Sequence, residues 1–149
     1  MIITFCGHSD FKKHEKYRDK MLDLLHELVG DMPVEFYLGN YGDFDNFAFL
    51  CCLEFKKSHP DSRLVFVTPY IDQLYLDRHL PLNGEYDEIL YPDLENKPLR
   101  FAISYRNKYM VEKSDVVIAY IERSFGGAYK TYTLAQKKGK TVYNLFQNE

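Results

Sequence analysis

Three loops of this sequence contain the residues best suited to bind an anionic ligand, at positions 6–10, 39–45 and 122–129. Each loop contains glycine, follows an apolar run and leads directly into a helical pattern. The first N–H groups of a helix have no partner within it, and glycine lets a phosphate approach them closely. Gly126 and Gly127 are the strongest signal, because a tight strand-to-helix turn, the alternative reading, needs only one glycine. We predict that they bind a phosphate or a ribose.

The loop at 39–45 and the histidine at position 8 are weaker candidates. Asp43 is placed to cap the following helix, and Asp45 then lies in its first turn, close to a ligand above the strand ends. A helix cap and a surface charge explain the two carboxylates equally well. His8 has no neighbours in the arrangement of a Cys/His pair or a Ser/His/Asp triad, so we expect it to bind rather than to catalyse.

Arg106 and Asn107 follow Ile103 by three and four positions, on an apolar-flanked helix face. A guanidinium in such a place must be satisfied by a carboxylate, by carbonyl groups or by an anionic ligand. We predict that Arg106 and Asn107 contribute to ligand binding. The alternative is a structural salt bridge from Arg106 to Asp115 or Glu95.

Metal and cofactor signatures are absent from the sequence. The scattered histidines and the three cysteines (Cys6, Cys51 and Cys52) form no C-x-x-C or H-x-x-x-H spacing, so we expect no metal site. Neither G-x-G-x-x-G nor the P-loop pattern occurs, and we predict no resident cofactor. The odd number of cysteines in apolar segments indicates reduced core residues of a cytoplasmic protein.

Segments with strand-like and helix-like patterns alternate along the chain. Strands are predicted at 2–6, 34–38, 64–68, 88–91, 116–121 and 141–146. Helices are predicted after a cap at Ser9 or Asp10 and at 43–57, 71–80, 99–113 and 127–138. Because no tight hairpin joins the strands, right-handed crossovers and a parallel sheet are expected. We therefore predict an α/β fold: a single Rossmann-like domain over 1–149, with a mainly parallel sheet of five to six strands and helices on both faces.

Composition and charge restrict the function further. The 149 residues are 46% hydrophobic and 28% charged, which fits one globular domain. The net charge of −3 gives no basic field, so nucleic acid is not expected as a partner. The longest apolar run, at 47–53, is too short to span a membrane, and the apolar start lacks the basic region of a signal peptide.

Four stretches taken together resemble a known superfamily: TFCGHS at 4–9, GNYGDFD at 39–45, RFAISYRNKYMVEKSDVVIAY at 100–120 and FGGAYKTYTLAQKKGKTVYNL at 125–145. Over essentially its whole length the chain resembles the SLOG superfamily, and within it the small, uncharacterised bacterial YpsA/YoqJ-like proteins. The superfamily includes the DNA-processing DprA proteins and the LOG phosphoribohydrolases. The resemblance implies a Rossmann-like fold that binds nucleotides or nucleotide-derived ligands.

This chain departs from the superfamily patterns at specific positions. Many relatives have Gly-His-Arg where this chain has Ser9 in place of the arginine. LOG enzymes have P-G-G-x-G-T-x-E with a catalytic glutamate, and Tyr132 stands at that position here. Arg106 matches the arginine of the LOG R-K-x-x-M pattern, with Asn107 replacing lysine and Met110 retained. The resemblance thus implies that the binding half of the LOG site is present and its acid–base half is not.

From these observations we expect cytosolic binding or sensing of a nucleotide-derived small molecule (NAD, ADP-ribose or a nucleoside monophosphate) at the carboxyl ends of the strands. No membrane partner is expected, and the sequence leaves a homo-oligomer open. The predicted ligand-binding residues are Gly7, His8, Ser9, Gly39, Asn40, Gly42, Asp45, Arg106, Asn107, Gly126, Gly127 and Ala128.

The alternative is an enzyme that cleaves an N-glycosidic bond, as LOG proteins or nucleoside deoxyribosyltransferases do. Such cleavage needs a carboxylate that stabilises the oxocarbenium-like centre or acts as nucleophile, and an acid for the leaving base. Asp45, Glu95 and Glu122 are the catalytic candidates near the predicted strand ends.

Overall fold

Among the residues that the structure describes, short runs rich in β-branched and aromatic residues form six strands, which join in one parallel sheet. The computed structural model describes residues 1–80 and 85–146. The strands are β1 (Ile2–Gly7), β2 (Glu35–Leu38), β3 (Arg63–Val67), β4 (Glu88–Leu90), β5 (Val116–Tyr120) and β6 (Thr141–Asn144). Their order in the sheet is β4-β3-β2-β1-β5-β6. The predicted α/β class and parallel sheet are confirmed.

In the described part of the chain, five α-helices connect the strands: α1 (His14–Val29), α2 (Asp43–Ser58), α3 (Gln73–His79), α4 (Ala102–Lys113) and α5 (Gly127–Lys137). A short 3-10 turn at Leu99–Phe101 begins the segment predicted as one helix over 99–113. The predicted caps are wrong. Helix α1 starts after Lys13, beyond Ser9 and Asp10, and α2 starts after Gly42 with Asp43 as its first residue, so none of the three stands at the cap position and neither helix has a side-chain cap.

Alternation along the strands places helices on both faces of the sheet. Ile3 and Phe5 of β1 belong to the core under α1 and α2, which is rich in aromatic residues. Cys6 points to the opposite face and packs with Val111 of α4 and Ala135 of α5. The chain therefore buries both faces of β1, the strand between β2 and β5.

The connections leave β1 and β5 in opposite directions. The chain runs outward from β1 through β2 and β3 to β4, and then crosses back to place β5 on the other side of β1. At such a switch point the loops after the two strands diverge and leave a crevice outside their carboxyl ends. The sheet order alone therefore places a ligand crevice between the loops that follow β1 and β5.

Gly7 at the end of β1 is required by packing against α2. A β-carbon built on Gly7 would lie 2.2 Å from Cγ of Phe44, a fully buried ring in the first turn of α2. We expect Gly7→Ala to lower the free energy of unfolding by about 1–3 kcal/mol, because the ring and the helix start must move. Gly127→Ala, whose β-carbon meets no atom within 4 Å, is the matched control in urea denaturation. Equal stability of the two variants would contradict this packing role.

Within the described residues, no helix is long and apolar enough to cross a membrane. The three cysteines are buried and unbonded. Burial raises the pKa of the Cys51 thiol to about 12 and that of the Cys6 thiol still further, so neither is a thiolate near neutral pH. The cytoplasmic location inferred from the cysteines stays a prediction.

Candidate functional site

An open cavity of about 640 Å³ lies at the carboxyl ends of β1 and β5. Its walls come from the end of β1 and the loop after it, the loop that leads from β2 into α2, helix α4, and the segment that leads from β5 into α5. The predicted ligand-binding residues that line it are Gly7, His8, Ser9, Asp45, Arg106, Asn107, Gly126, Gly127 and Ala128. The structure thus brings residues from all three glycine-containing loops, together with α4, around one cavity.

The start of α5 offers free hydrogen-bond donors to this cavity. The first bond within the helix runs from the N–H of Lys130 to the carbonyl of Gly126, over 3.1 Å. The N–H groups at positions 127–129 therefore have no acceptor within the helix. Gly126 has a φ of 95°, in the left-handed region that favours glycine. Gly127 lies outside that region, and a β-carbon built on it would meet no atom within 4 Å. The fold itself gives no steric reason for a glycine at position 127.

Gly39, Asn40 and Gly42 do not line the cavity. A β-carbon on Gly39 would lie 3.1 Å from the guanidinium carbon of Arg106, and one on Gly42 would lie 2.7 Å from Cβ of Ser9. The side chain of Asn40 donates to the carbonyl of His79. These three residues pack or bond the loop after β2 against Arg106, Ser9 and His79. The contacts inside the protein therefore explain two glycines and an asparagine at these positions without a ligand.

Arg106 is buried, with 1% of its surface exposed, and its guanidinium joins two strand ends. Its Nη1 donates to the carbonyls of Gly39 (3.0 Å) and Val67 (2.8 Å), and its Nε donates to Oδ1 of Asn107 (2.9 Å). Within the described residues it forms no salt bridge, so the alternative of a pair with Asp115 or Glu95 is not what the structure shows. Carbonyl groups thus accept hydrogen bonds from the Arg106 guanidinium. Arg106 lies in the wall of the cavity and also supports that wall.

Asp45 lies beside Arg106 at the start of α2. Its Oδ2 accepts the N–H of Tyr41 over 2.8 Å. Burial raises the pKa of Asp45 to about 6, although the Arg106 charge and the Tyr41 hydrogen bond lower it. Among the described lining residues Asp45 is the only carboxylate. It is therefore a group that can accept hydrogen bonds from a ligand and can exchange a proton near neutral pH.

His8 links the loops after β1 and β5. It is 3% exposed, and its Nε2 accepts the N–H of Glu122 over 3.1 Å, so this nitrogen is unprotonated. Burial, with the nearby charge of Arg123, lowers the pKa of His8. A neutral His8 thus joins the loop after β1 to the loop after β5 in the wall of the cavity. This arrangement fits the prediction that His8 does not act as a catalyst.

Sequence reasoning missed several lining residues. The basic ones are Arg123, Lys108 and Lys130, and the others include the exposed aromatic residues Tyr41 and Phe125. Arg123 stands in the same loop as Gly126, and Lys130 one turn into α5, so their spacing from the paired glycines was a signal that could have identified them. With Arg106, the lining holds four cationic side chains against one carboxylate.

The two other catalytic candidates do not meet the cavity. Glu95 is exposed in the segment before the 3-10 turn, and Glu122 pairs with Lys13 (3.8 Å) outside the lining. Tyr132, which stands at the position of the LOG glutamate, lies next to Tyr129 against the buried cluster that contains Val117 and Ala135, and it does not line the cavity. Over residues 1–80 and 85–146, no cluster of three or more His, Cys, Asp or Glu side chains could hold a metal ion.

No family model matches the chain. The uncharacterised SPbeta prophage-derived protein YoqJ of Bacillus subtilis is 25% identical over 139 residues, covering 82% of this chain and 81% of YoqJ. The fold is similar to that of Helicobacter pylori DprA (TM-score 0.69, 20% identity, 99% of this chain and 66% of that one). It is also similar to that of Streptococcus pneumoniae DprA, with a TM-score of 0.67 and 18% identity, over 94% of this chain and 48% of that one. A third similar structure is TM1055, with a TM-score of 0.59 and 14% identity, over 95% of this chain and 71% of that one. The chain thus spans about two thirds of one DprA and about half of the other.

These comparisons confirm the resemblance to YoqJ and to the fold of the DprA proteins, and they correct one prediction. Nucleic acid was not expected as a partner, and this was wrong, because H. pylori DprA, which has the same fold, binds single-stranded DNA. The physical reason is that net charge averages over the whole surface, whereas a ligand meets the local charge. Here the chain has a net charge of −3, whereas the charged side chains among the described lining residues are four cations and one carboxylate.

Proposed function

We propose that this chain, a small SLOG-like protein with the fold of DprA, binds a nucleotide-derived molecule in the cavity between the ends of β1 and β5. The phosphate lies against the free N–H groups at the start of α5, and the rest of the molecule extends toward Asp45 and Asn107. NAD, ADP-ribose and nucleoside monophosphates are the ligand types considered. The whole of residues 1–149 is proposed to serve as this one binding domain.

The observation that carries the proposal is the open space in front of Gly127. Other glycines of the three loops are explained by contacts inside the protein, as at Gly7 and Gly42, or by a positive φ, as at Gly126. Gly127 has neither reason, and it lies between free helix N–H groups and the cavity. A bare backbone at this point leaves room for an anion to contact the N–H groups directly.

Replacing Gly127 with valine tests this placement. The valine side chain meets no protein atom close to its β-carbon and should leave the fold intact, but it occupies the space in front of the free N–H groups. We expect affinity for the bound nucleotide to fall about tenfold to hundredfold, as for the loss of a hydrogen bond to a charged group. Calorimetric titration of NAD, ADP-ribose, AMP and cyclic dinucleotides provides the measurement.

Gln136→Val is the matched control, because Gln136 is an exposed α5 residue away from the cavity. Unchanged affinity in a folded Gly127→Val protein would contradict the phosphate position. Single-stranded oligothymidylate belongs in the same titrations, because H. pylori DprA binds single-stranded DNA.

A second candidate function, cleavage of an N-glycosidic bond, is favoured by the raised pKa of Asp45. A carboxyl group with a pKa near 6 inside a cavity suits general acid–base work or attack on an oxocarbenium-like centre. However, no second carboxylate among the described lining residues could protonate the leaving base. Binding without turnover therefore remains the first proposal. Chromatographic detection of free base after incubation with each bound nucleotide distinguishes the two functions.

A further inference from the structure

Arg123 is held in a fixed orientation at the mouth of the cavity. Its two terminal nitrogens donate to the two carboxylate oxygens of Asp10, over 3.2 Å and 2.9 Å. Its guanidinium carbon lies 5.4 Å from the ring centroid of Phe125. The carboxylate and the ring together fix the plane of the guanidinium before any ligand binds.

The guanidinium has five N–H donors, and the two bonds to Asp10 use two of them. The Nε of Arg123 is enclosed and has no hydrogen-bond partner among the described residues. The other N–H groups belong to a side chain that is 33% exposed, so they are the donors that a ligand can reach. Arg123 lines the cavity together with Gly126, Gly127 and Lys130, which belong to the segment with the free helix N–H groups.

The ion pair itself contributes little to folding. The side chains of Arg123 and Asp10 are 33% and 63% exposed, and exposed pairs of this kind stabilise proteins only weakly. Phe125 is likewise 68% exposed and adds little to the core. The arrangement is thus better explained by the orientation that it gives to Arg123 than by stability.

We propose that Arg123 binds the phosphate group of the nucleotide, through the terminal N–H groups that are not bonded to Asp10, while Asp10 and Phe125 act as positioning residues for it. This deepens the proposed function and rests on it, since it concerns the same cavity. The shared chemistry is a nucleotide phosphate, whether it belongs to a free nucleotide or to a DNA strand. In either case the phosphate would lie between Arg123, Lys130 and the start of α5.

The test compares ligands with and without a phosphate. We expect Arg123→Gln to weaken binding of AMP about tenfold to hundredfold and to leave binding of adenosine unchanged. Arg123→Lys should recover only part of the loss, because lysine restores the charge but not the fork to Asp10. Arg18→Gln is the matched control: Arg18 is also exposed and ion-paired, to Asp19 and Glu54, but lies on α1 outside the lining.

Oligothymidylate distinguishes the two sources of phosphate. If a strand phosphate occupies the site, Arg123→Gln lowers oligothymidylate affinity and reduces the salt dependence by about one phosphate contact. The proposal is overturned if Arg123→Gln binds AMP and oligothymidylate as wild type does, or weakens adenosine and AMP equally. Weaker binding in Gly127→Val with normal binding in Arg123→Gln would overturn this inference and leave the proposed function standing. Failure of wild type to bind any nucleotide would overturn both.

Discussion

Replacing Arg106 with leucine is expected to lower the free energy of unfolding by about 3–5 kcal/mol, the usual effect of removing one partner from a buried charged network. The carbonyls of Gly39 and Val67 would lose their donor. The carboxylate of Asp45 would also lose the cation that offsets its burial. Urea denaturation at neutral pH measures the loss.

A second substitution separates the two causes of this loss. In Arg106→Leu combined with Asp45→Asn, the stranded carboxylate is gone and only the two carbonyls remain unpaired. We therefore expect the double variant to be more stable than Arg106→Leu alone. If Arg106→Leu unfolds like wild type but binds nucleotide weakly, Arg106 serves the ligand and not the scaffold.

The fold could be predicted closely because its determinants are local. The apolar runs that end at glycine or proline mark the strands, and the 3.6-residue periodicity marks the helices. Strand β5, with all five residues buried, reads directly as an apolar run over 116–121. The predicted caps failed because the helix starts are shifted: α1 begins at His14, four residues after Asp10, and Asp43 is itself the first residue of α2. Asp10 pairs with Arg123, and Asp43 with Lys12.

The candidate site could be predicted only in part, because a sequence does not show what a glycine faces. Gly42 and Gly127 look equivalent as loop glycines before a helix, yet one meets Ser9 and the other meets open space. The same limit applies to charged residues. Arg106 was identified from its helix position, but its carbonyl partners come from two separate strand ends. Arg123 was missed because its relation to Asp10 spans 113 positions.

The raised pKa of Asp45 makes the free energy of unfolding depend on pH. Its pKa rises from the ordinary value of 3.8 to about 6 on folding, chiefly through burial. A carboxyl group with a raised pKa holds its proton more tightly in the folded chain, so its contribution favours folding most at low pH. That contribution falls as the pH rises from about 4 to about 6, by about 3 kcal/mol in total.

Asp45→Asn should therefore stabilise the protein at pH 7 by up to about 3 kcal/mol, while changing little at pH 4. The asparagine oxygen can still accept the N–H of Tyr41, so the loop should keep its shape. Denaturation of both proteins at a series of pH values gives the difference directly. Asp43→Asn is the control, since Asp43 is a neighbouring exposed carboxylate outside the lining.

A stabilising Asp45→Asn would mean that the protein keeps an ionised carboxylate in its cavity at a cost to its own stability. A cost of this kind is typical of groups that act on a ligand. Nucleotide affinity would then fall in the same variant, because an amide is a weaker acceptor than a carboxylate for ribose hydroxyl or amino donors. Loss of stability in Asp45→Asn at every pH would instead show that Asp45 and Arg106 form a structural pair, and would remove Asp45 from the site.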